Sequence, residues 1–374
     1  KPVAAVVAEK IRDGLHLLTA TISVAMFFFL SFFAHFVVSL ADDHCDEDSF
    51  LQLQEKLDRN QVNFSASPYI VHFNEATLLQ TDSRNASHHA EFPVVMMHGM
   101  GDYGKNPRGM IYLQELVAHA LGTYVHNMEL CSNPSQLSDC PWEDQQNGFF
   151  MTLERQVDQF ARVVRADPKL SRGFNVVAYS QGNTVVRGYI HKYNDPPVKK
   201  WLSIHGVLMG VNGFPECPIT SPLCGIVNSI IGFGVYSSFV QDRLAQANYY
   251  RDAANLEEYK ASCRFMPYIN NEVQGPGNQS AVYTANFEKL EKVILVKAEE
   301  DTMITPRESE HFGYFKDGSR SELVAMRDAP WYAENWFGLK TLDEAQKIDF
   351  YSTPGGHLHF TKEFLEEMVL RYFL

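Results

Sequence analysis

Phe174-Asn175-Val176-Val177-Ala178-Tyr179-Ser180-Gln181-Gly182 decides how this chain is read. Its first six residues are mostly apolar, β-branched or aromatic, which predicts a buried strand. The strand stops at a serine, and an amphipathic helix is predicted from about 181 to 193. A serine at such a junction sits on a sharp turn that exposes its Oγ and aims a helix N-terminus at whatever approaches it. The helix must then lie hard against the strand before it, so small residues are required around the serine. Gly182 meets that demand on one side and Ala178, the next smallest choice, on the other.

Working outward, Pro93-Val94-Val95-Met96-Met97 predicts a second buried strand, ending in His98-Gly99-Met100-Gly101-Asp102. That glycine-rich turn can supply backbone amides to an oxyanion, with His98 shaping the turn. Downstream come the acidic cluster Glu299-Glu300-Asp301 and then Gly355-Gly356-His357. Serine, acid and histidine follow the chain order of an α/β-hydrolase, which this layout resembles. The chemistry needs all three: a serine hydroxyl is a weak nucleophile, a histidine takes its proton, and an acid fixes the imidazole tautomer. The residues alone leave alternatives. A serine followed by x-Gly is also an ordinary buried or capping serine, any of the three acids could serve, and His359 competes with His357. His205, in a predicted strand, reads as a core histidine.

Short apolar runs at 93–97, 123–128, 174–179, 201–208, 293–297 and 348–352 alternate with helical stretches near 108–121, 148–166, 181–193 and 361–373. That rhythm predicts the α/β class with a mainly parallel sheet covered on both faces. The stretch 211–290 breaks it, with an apolar segment at 226–236 and a helix-like run at 239–250. It reads as an inserted lid whose apolar face lines a groove for an acyl chain, or simply as a packed helical subdomain.

With 374 residues and 45% apolar composition the chain can bury a large core. The net charge of −13, without a basic stripe, excludes a nucleic-acid partner. Residues 14–41 carry no Asp, Glu, Lys or Arg, and Leu17 to Ala41 is long enough to span a bilayer. Lys1, Lys10 and Arg12 precede it and Asp42, Asp43, Asp46, Glu47 and Asp48 follow, which orients the remainder toward the lumen. The segment 1–41 is expected to be a retained signal-anchor helix or a signal cleaved near Ser39-Leu40-Ala41. Residues 42–91 read as a stalk and 92–374 as the hydrolase domain.

Six cysteines agree with a secretory address. Cys131/Cys140 and Cys217/Cys224 each flank a short loop and read as local disulfides, each stabilising by roughly 2–3 kcal/mol. Cys45 and Cys263 pair or stay free. No C-x-x-C and no histidine pair accompanies them, so no metal site is expected. Asn63, Asn85 and Asn278 begin N-x-S/T sequons and are expected glycan acceptors.

From Phe92 to Leu374 the sequence resembles the palmitoyl-protein thioesterase family in ordered blocks. They are His98-Gly99-Met100-Gly101-Asp102 with Asn106-Pro107, Ala166-Asp167-Pro168-Lys169-Leu170, Tyr179-Ser180-Gln181-Gly182 and Gly213-Phe214-Pro215-Glu216-Cys217-Pro218. Val240-Gln241-Asp242-Arg243-Leu244, Ile269-Asn270-Asn271-Glu272 and Ser309-Glu310-His311-Phe312-Gly313-Tyr314-Phe315 continue them. The resemblance implies an α/β-hydrolase fold with an acyl groove, no cofactor, and hydrolysis of fatty acyl groups from cysteine, typically in lysosomes. It implies Ser180 as nucleophile, His357 as base, Asp301 as acid, and the amides of Met100 and Gln181 as the oxyanion hole. The departures are Ala178 for a glycine, Asn183 after Gly182, Gly356 where an acid usually stands, and the Cys131–Cys140 loop. The expected substrates are S-acylated proteins or peptides, or other long-chain acyl thioesters. The alternatives are a lipase or esterase acting on oxygen esters, or a non-catalytic hydrolase-fold subunit of a membrane assembly.

Overall fold

Runs of large apolar and β-branched residues form β1 (Val94–Met97), β2 (Val125–Asn127), β3 (Phe174–Tyr179), β4 (Val198–Ile204), β5 (Lys292–Ala298) and β8 (Ile348–Thr353). In the computed structural model, which describes residues 89–133, 135–213, 234–273 and 280–374, these six strands make one parallel sheet in the order β2-β1-β3-β4-β5-β8. Two further short strands, β6 (Tyr314–Phe315) and β7 (Leu323–Val324), pair antiparallel on their own.

Side chains alternate across the sheet as the period of two requires. Val95, Met97, Val176, Ala178, Trp201, Val293 and Leu295 face one core, under α3 (Leu153–Ala166) and α4 (Gly182–Lys192). Val94, Met96, Val177, Tyr179, Leu202, Ile204, Ile294 and Val296 face the other, under α1 (Met110–Leu121) and α11 (Lys362–Phe373). Helices thus cover both faces, and each fully buried aliphatic or aromatic side chain stabilises by about 1.5–3 kcal/mol.

The strand order positions the site. From β1 the chain moves outward to β2, then returns to the other side of β1 with β3 and continues away through β4, β5 and β8. The direction of addition reverses between β1 and β3, and the crevice above the C-terminal ends at such a switch point is where open α/β sheets bind ligands. Ser180 leaves β3 there, and His98 leaves β1 beside it.

Three expectations about elements are corrected. The helix expected over 148–166 is two: α2 (Pro141–Phe150) and α3, separated by Met151 and an extended Thr152. Gln156 donates to the carbonyls of Asn147 and Met151 while Asn248 accepts from the Leu153 N–H, so side chains take over the backbone bonds of a continuous helix. The helix-like run 239–250 is only α5 (Ser238–Gln241) and a 3-10 turn at Ala245–Tyr249. There Gln241 donates to the Val235 and Ala247 carbonyls, and Asn248 to that of Gln241. Strand β4 ends at Ile204, because His205 takes a left-handed φ of 46°.

The described part of the 211–290 insertion adds α6 (Leu256–Ser262), α7 (Met266–Ile269) and α8 (Ser280–Glu288). Its Phe265, Met266, Ile269 and Phe287 join the α3–α4 core, so this part is packed structure. Two short helices, α9 (Pro330–Ala333) and α10 (Leu339–Glu344), follow β7. The N-terminal segment 1–41, residues 42–88 of the stalk, the sequons at Asn63, Asn85 and Asn278, and Cys45, Cys217 and Cys224 lie outside the described residues, as does 214–233 of the insertion. Among the described residues no helix is long and apolar enough to cross a membrane.

At Gly182 helix α4 approaches the end of β1 backbone to backbone. A Cβ there would lie against the carbonyl oxygens of Met97 and His98, the former at 2.7 Å. Gly182→Ala is therefore expected to lose about 3 kcal/mol, the upper end of what overpacking costs. Denaturant unfolding checks it; an unchanged midpoint would contradict the packing described.

Candidate active site

Ser180 follows the last residue of β3 with φ of 51°, in the left-handed region that a non-glycine residue rarely occupies. Its N–H is tied to the Ile204 carbonyl at 3.0 Å. Asn183, one of the departures from the family pattern, holds the turn from beneath. Its amide donates to the carbonyls of Ala178 (2.9 Å) and Ile204 (3.2 Å), and its Oδ1 accepts from Trp201 Nε1 at 3.0 Å. The strained conformation persists because both flanking strands are stapled to it. Ala178 is fully buried in the α3–α4 core, where its methyl is accommodated.

His357, after β8, lies with Nε2 2.8 Å from Ser180 Oγ and Nδ1 2.6 Å from Asp301 Oδ2. Asp301 follows β5, and its other oxygen accepts from the Met303 and Ile304 N–H groups at 2.6 and 3.0 Å. Burial pushes this carboxyl up, but His357 and the backbone donors outweigh it and hold it down at about 2. An ionised Asp301 accepts a hydrogen bond from the Nδ1–H, which holds the tautomer that leaves the Nε2 lone pair for the serine hydroxyl. Of the acidic cluster, only Asp301 is buried; Glu299 and Glu300 are exposed, and so is His359. The sequence did not reveal Glu310, fully buried near Asp301 with Oε2 accepting from the Ala298 N–H at 2.9 Å. Burial, then the Asp301 charge, pushes its carboxyl well above the usual range.

The opposite wall is the turn after β1. A Cβ on Gly99 would sit 2.9 Å from Ser180 Cβ and 3.6 Å from its Oγ, so the chain entering Met100 passes directly beside the hydroxyl. Helix α2 fixes this turn. Asp144, fully buried, accepts from His98 Nε2 at 2.8 Å, from Gly104 N at 2.7 Å and from Leu130 N at 2.7 Å. Gln145 donates to the Gly101 carbonyl at 2.8 Å, and Gly148 lies under Gly101 and Met100. His98 also donates from Nδ1 to the Gly99 carbonyl, so both ring nitrogens carry protons. Burial alone would lower its pKa, but Asp144 prevails and raises it to about 9. His98 is therefore a buried imidazolium that shapes the turn.

The loop that introduces α2 is the apparent insertion. Cys131 and Cys140 are joined in a disulfide, and Glu129 accepts from the N–H groups of Asp139 and Cys140, both at 3.0 Å. Cys263 is a free, buried cysteine whose Sγ lies 3.3 Å from the Asn248 carbonyl. Behind the serine, Gln181 donates to the Gly148 carbonyl at 2.7 Å, while its Oε1 accepts from Gln246 at 2.8 Å and the Tyr249 hydroxyl at 3.2 Å. The residues expected to present oxyanion amides, Met100 and Gln181, are thus held by side-chain contacts from α2 and the insertion. A small crevice beside Ser180 and His357 is lined mainly by apolar side chains, among them Met100, Met110, Leu113, Met303 and Leu358, with Asp102 also on its wall. Among the described residues no group of three or more His, Cys, Asp and Glu is placed to hold a metal.

The sequence family described as palmitoyl protein thioesterase matches residues 93–357. The chain is 34% identical to palmitoyl-protein thioesterase 1 of Caenorhabditis elegans, over 78% of this chain and 94% of that protein. It is 33% identical to palmitoyl-protein thioesterase 3 of Dictyostelium discoideum, over 71% of this chain and 84% of that one. With lysosomal thioesterase PPT2-B of Xenopus laevis the identity is 30%, over 70% and 85% of the two chains.

Two predictions follow from the buried charges. Asp144→Ala leaves His98 and two backbone N–H groups without their acceptor, and is expected to cost about 3–5 kcal/mol of stability. Equilibrium unfolding measures this, and a loss below about 1 kcal/mol would contradict the role assigned to the pair. In the parent protein, the His98 pKa is raised above 6.5, so its stabilisation is complete below pH 6.5 and lost as pH rises through about 9. That of Asp301 is lowered from 3.8, so its contribution is complete above pH 3.8 and lost as pH falls through about 2. Thermal unfolding should show both contributions intact between pH 3.8 and 6.5, with an alkaline decline that Asp144→Ala flattens. An identical alkaline decline in the variant would remove His98 as its source.

Proposed function

The chain belongs to the palmitoyl protein thioesterase family, and from that premise we propose that it releases long-chain fatty acids from S-acylated cysteine through an acyl-enzyme on Ser180. It is an α/β-hydrolase-fold serine hydrolase of the thioesterase type. The observation that carries the residue roles is the unbroken hydrogen-bonded run from Asp301 through His357 to Ser180 Oγ.

The reaction proceeds in two halves. His357 Nε2 takes the Ser180 proton as Oγ attacks the thioester carbonyl carbon. The resulting oxyanion is met by the N–H groups of Met100 and Gln181, where the loss of one donor typically costs about 10²–10³ in rate. Collapse breaks the carbon–sulfur bond, and the imidazolium returns its proton to the departing sulfur. A thiol with a pKa near 8.5 leaves readily, so acylation is easy and entry of water limits turnover. Water, deprotonated by His357, then attacks the acyl-serine carbonyl, and as the carbon–Oγ bond breaks the imidazolium returns that proton to Ser180 and the fatty acid is released. The apolar side chains beside the serine, Met100, Met110, Leu113, Met303 and Leu358, favour a hydrocarbon group at the mouth of the site.

The domain works on the luminal side of the secretory pathway, in a lysosome-like compartment. The Cys131–Cys140 disulfide supports an oxidising environment, and relatives such as the Xenopus laevis protein carry the description lysosomal. Residues 17–41 serve as a signal-anchor, with cleavage after Ala41 as the alternative.

Labelling with a fluorophosphonate, followed by palmitoyl-thioester turnover, tests the reading. Ser180→Ala should abolish labelling and lower turnover by about 10⁴-fold or more. A matched oxygen ester should be cleaved more slowly by the parent enzyme. Wild-type protein that is folded but neither labelled nor active would favour the non-catalytic scaffold; efficient cleavage of the ester alone would make it a lipase.

A further inference from the structure

We propose that His205, just past the end of the strand next to the serine, is a positioning residue that clamps the loop carrying the base His357. The inference rests on the catalytic roles proposed above for Ser180, His357 and Asp301.

The loop between β8 and His357 is Pro354-Gly355-Gly356, and adjacent glycines give it more conformational freedom than a base aligned to a fraction of an ångström tolerates. His205 closes both ends of it. Its Nδ1 accepts from the Leu358 N–H, one residue past the base, at 2.8 Å. Its Nε2 lies 2.9 Å from the hydroxyl of Thr353, the last residue of β8. Because Nδ1 accepts a backbone N–H, the single proton of a neutral ring sits on Nε2 and is donated to Thr353. One buried imidazole therefore spans the loop, with its ring 6.0 Å from that of His357 and edge-on to Phe360 at 6.3 Å.

The backbone shows what this placement requires. His205 itself has φ of 46° and Leu358 has φ of 57°, both left-handed and non-glycine. The His205 N–H is tied to the Val296 carbonyl at 3.0 Å, which fixes the turn that swings the ring toward the loop. Two strained residues facing one another across a hydrogen bond are held there by that bond and its neighbours. The ring must also stay neutral, since a proton on Nδ1 would confront the Leu358 N–H. Burial, then the positive charge on His357, pushes its pKa down to about 3, with His359 and His311 acting in the same direction and Asp301 opposing. It thus keeps accepting while His357 gains and loses its proton.

The test uses the full enzyme and three variants. His205→Asn keeps an acceptor near the Nδ1 position and tolerates positive φ. His205→Gln reaches only toward Thr353, and His205→Ala reaches neither. The expected result is a fall in kcat of about 10²-fold for Gln and Ala, with KM within about twofold, and recovery to within about fivefold for Asn. The proton between His357 and Asp301 should give a sharp downfield resonance in the parent and in Asn, broadened by exchange in Gln. Should Ala fail to fold, the contrast between Asn and Gln carries the decision. A folded Gln variant with kcat within twofold of the parent overturns the proposal, and so does an Asn variant as impaired as Gln. A parent enzyme without thioester turnover overturns the catalytic reading and this inference together, whereas an active parent with indifferent variants overturns this inference alone.

Discussion

The site depends on one steric constraint, the contact between the turn at Ser180 and the end of the neighbouring strand β1. Gly182 leaves no room for a Cβ against the carbonyls of Met97 and His98, and Gly99 is pressed against Ser180 itself. With those two backbones in contact, the serine hydroxyl and the turn after β1 are forced to share one crevice. The topology makes the same demand independently, since β1 and β3 flank the place where strand order reverses. Asp301 and His357 then arrive from β5 and β8, beyond β4 on the same side.

Contact alone does not aim a catalytic group, and the surroundings of the crevice supply the aim with buried polar side chains. Asp144 and His98 hold the turn after β1, and Glu310 lies near Asp301. Asn183 and Gln181 fasten the serine turn to the carbonyls and amides around it. Every such group would be costly if left unpaired, which is why these networks specify a single arrangement. Among the ionised groups, His98 and Asp301 have opposite pH limits. Their shared window reaches into mildly acidic conditions.

Much of this was legible in the residues, for identifiable reasons. Six apolar runs separated by amphipathic stretches located the sheet strands and helices α1, α4 and α11 to within a few residues, because period and burial are local properties. Ser180 stood out because it directly follows a predicted strand, whereas Asp301 and His357 were singled out from the neighbouring acids and His359 by the family resemblance. What escaped was set by contacts far apart in the chain. Asp144 lies 46 residues from His98, on a helix hidden behind a disulfide loop. The break before Leu153 depends on Asn248, 95 residues away. His205 read as an ordinary core histidine because it follows a continuous apolar strand; only its left-handed φ turns the ring toward the base loop.

The central claim is that the acyl group passes through Ser180, and capturing it there is the most direct test. The enzyme would be mixed with a palmitoyl-cysteinyl peptide, quenched in acid during steady-state turnover, and its proteolytic peptides weighed. A palmitoyl-sized mass increment confined to the peptide containing Ser180, transient in the parent and absent from Ser180→Ala, is the predicted result. Turnover with the increment on Cys263, or with no acylated peptide even when water attack is slowed, would contradict the account.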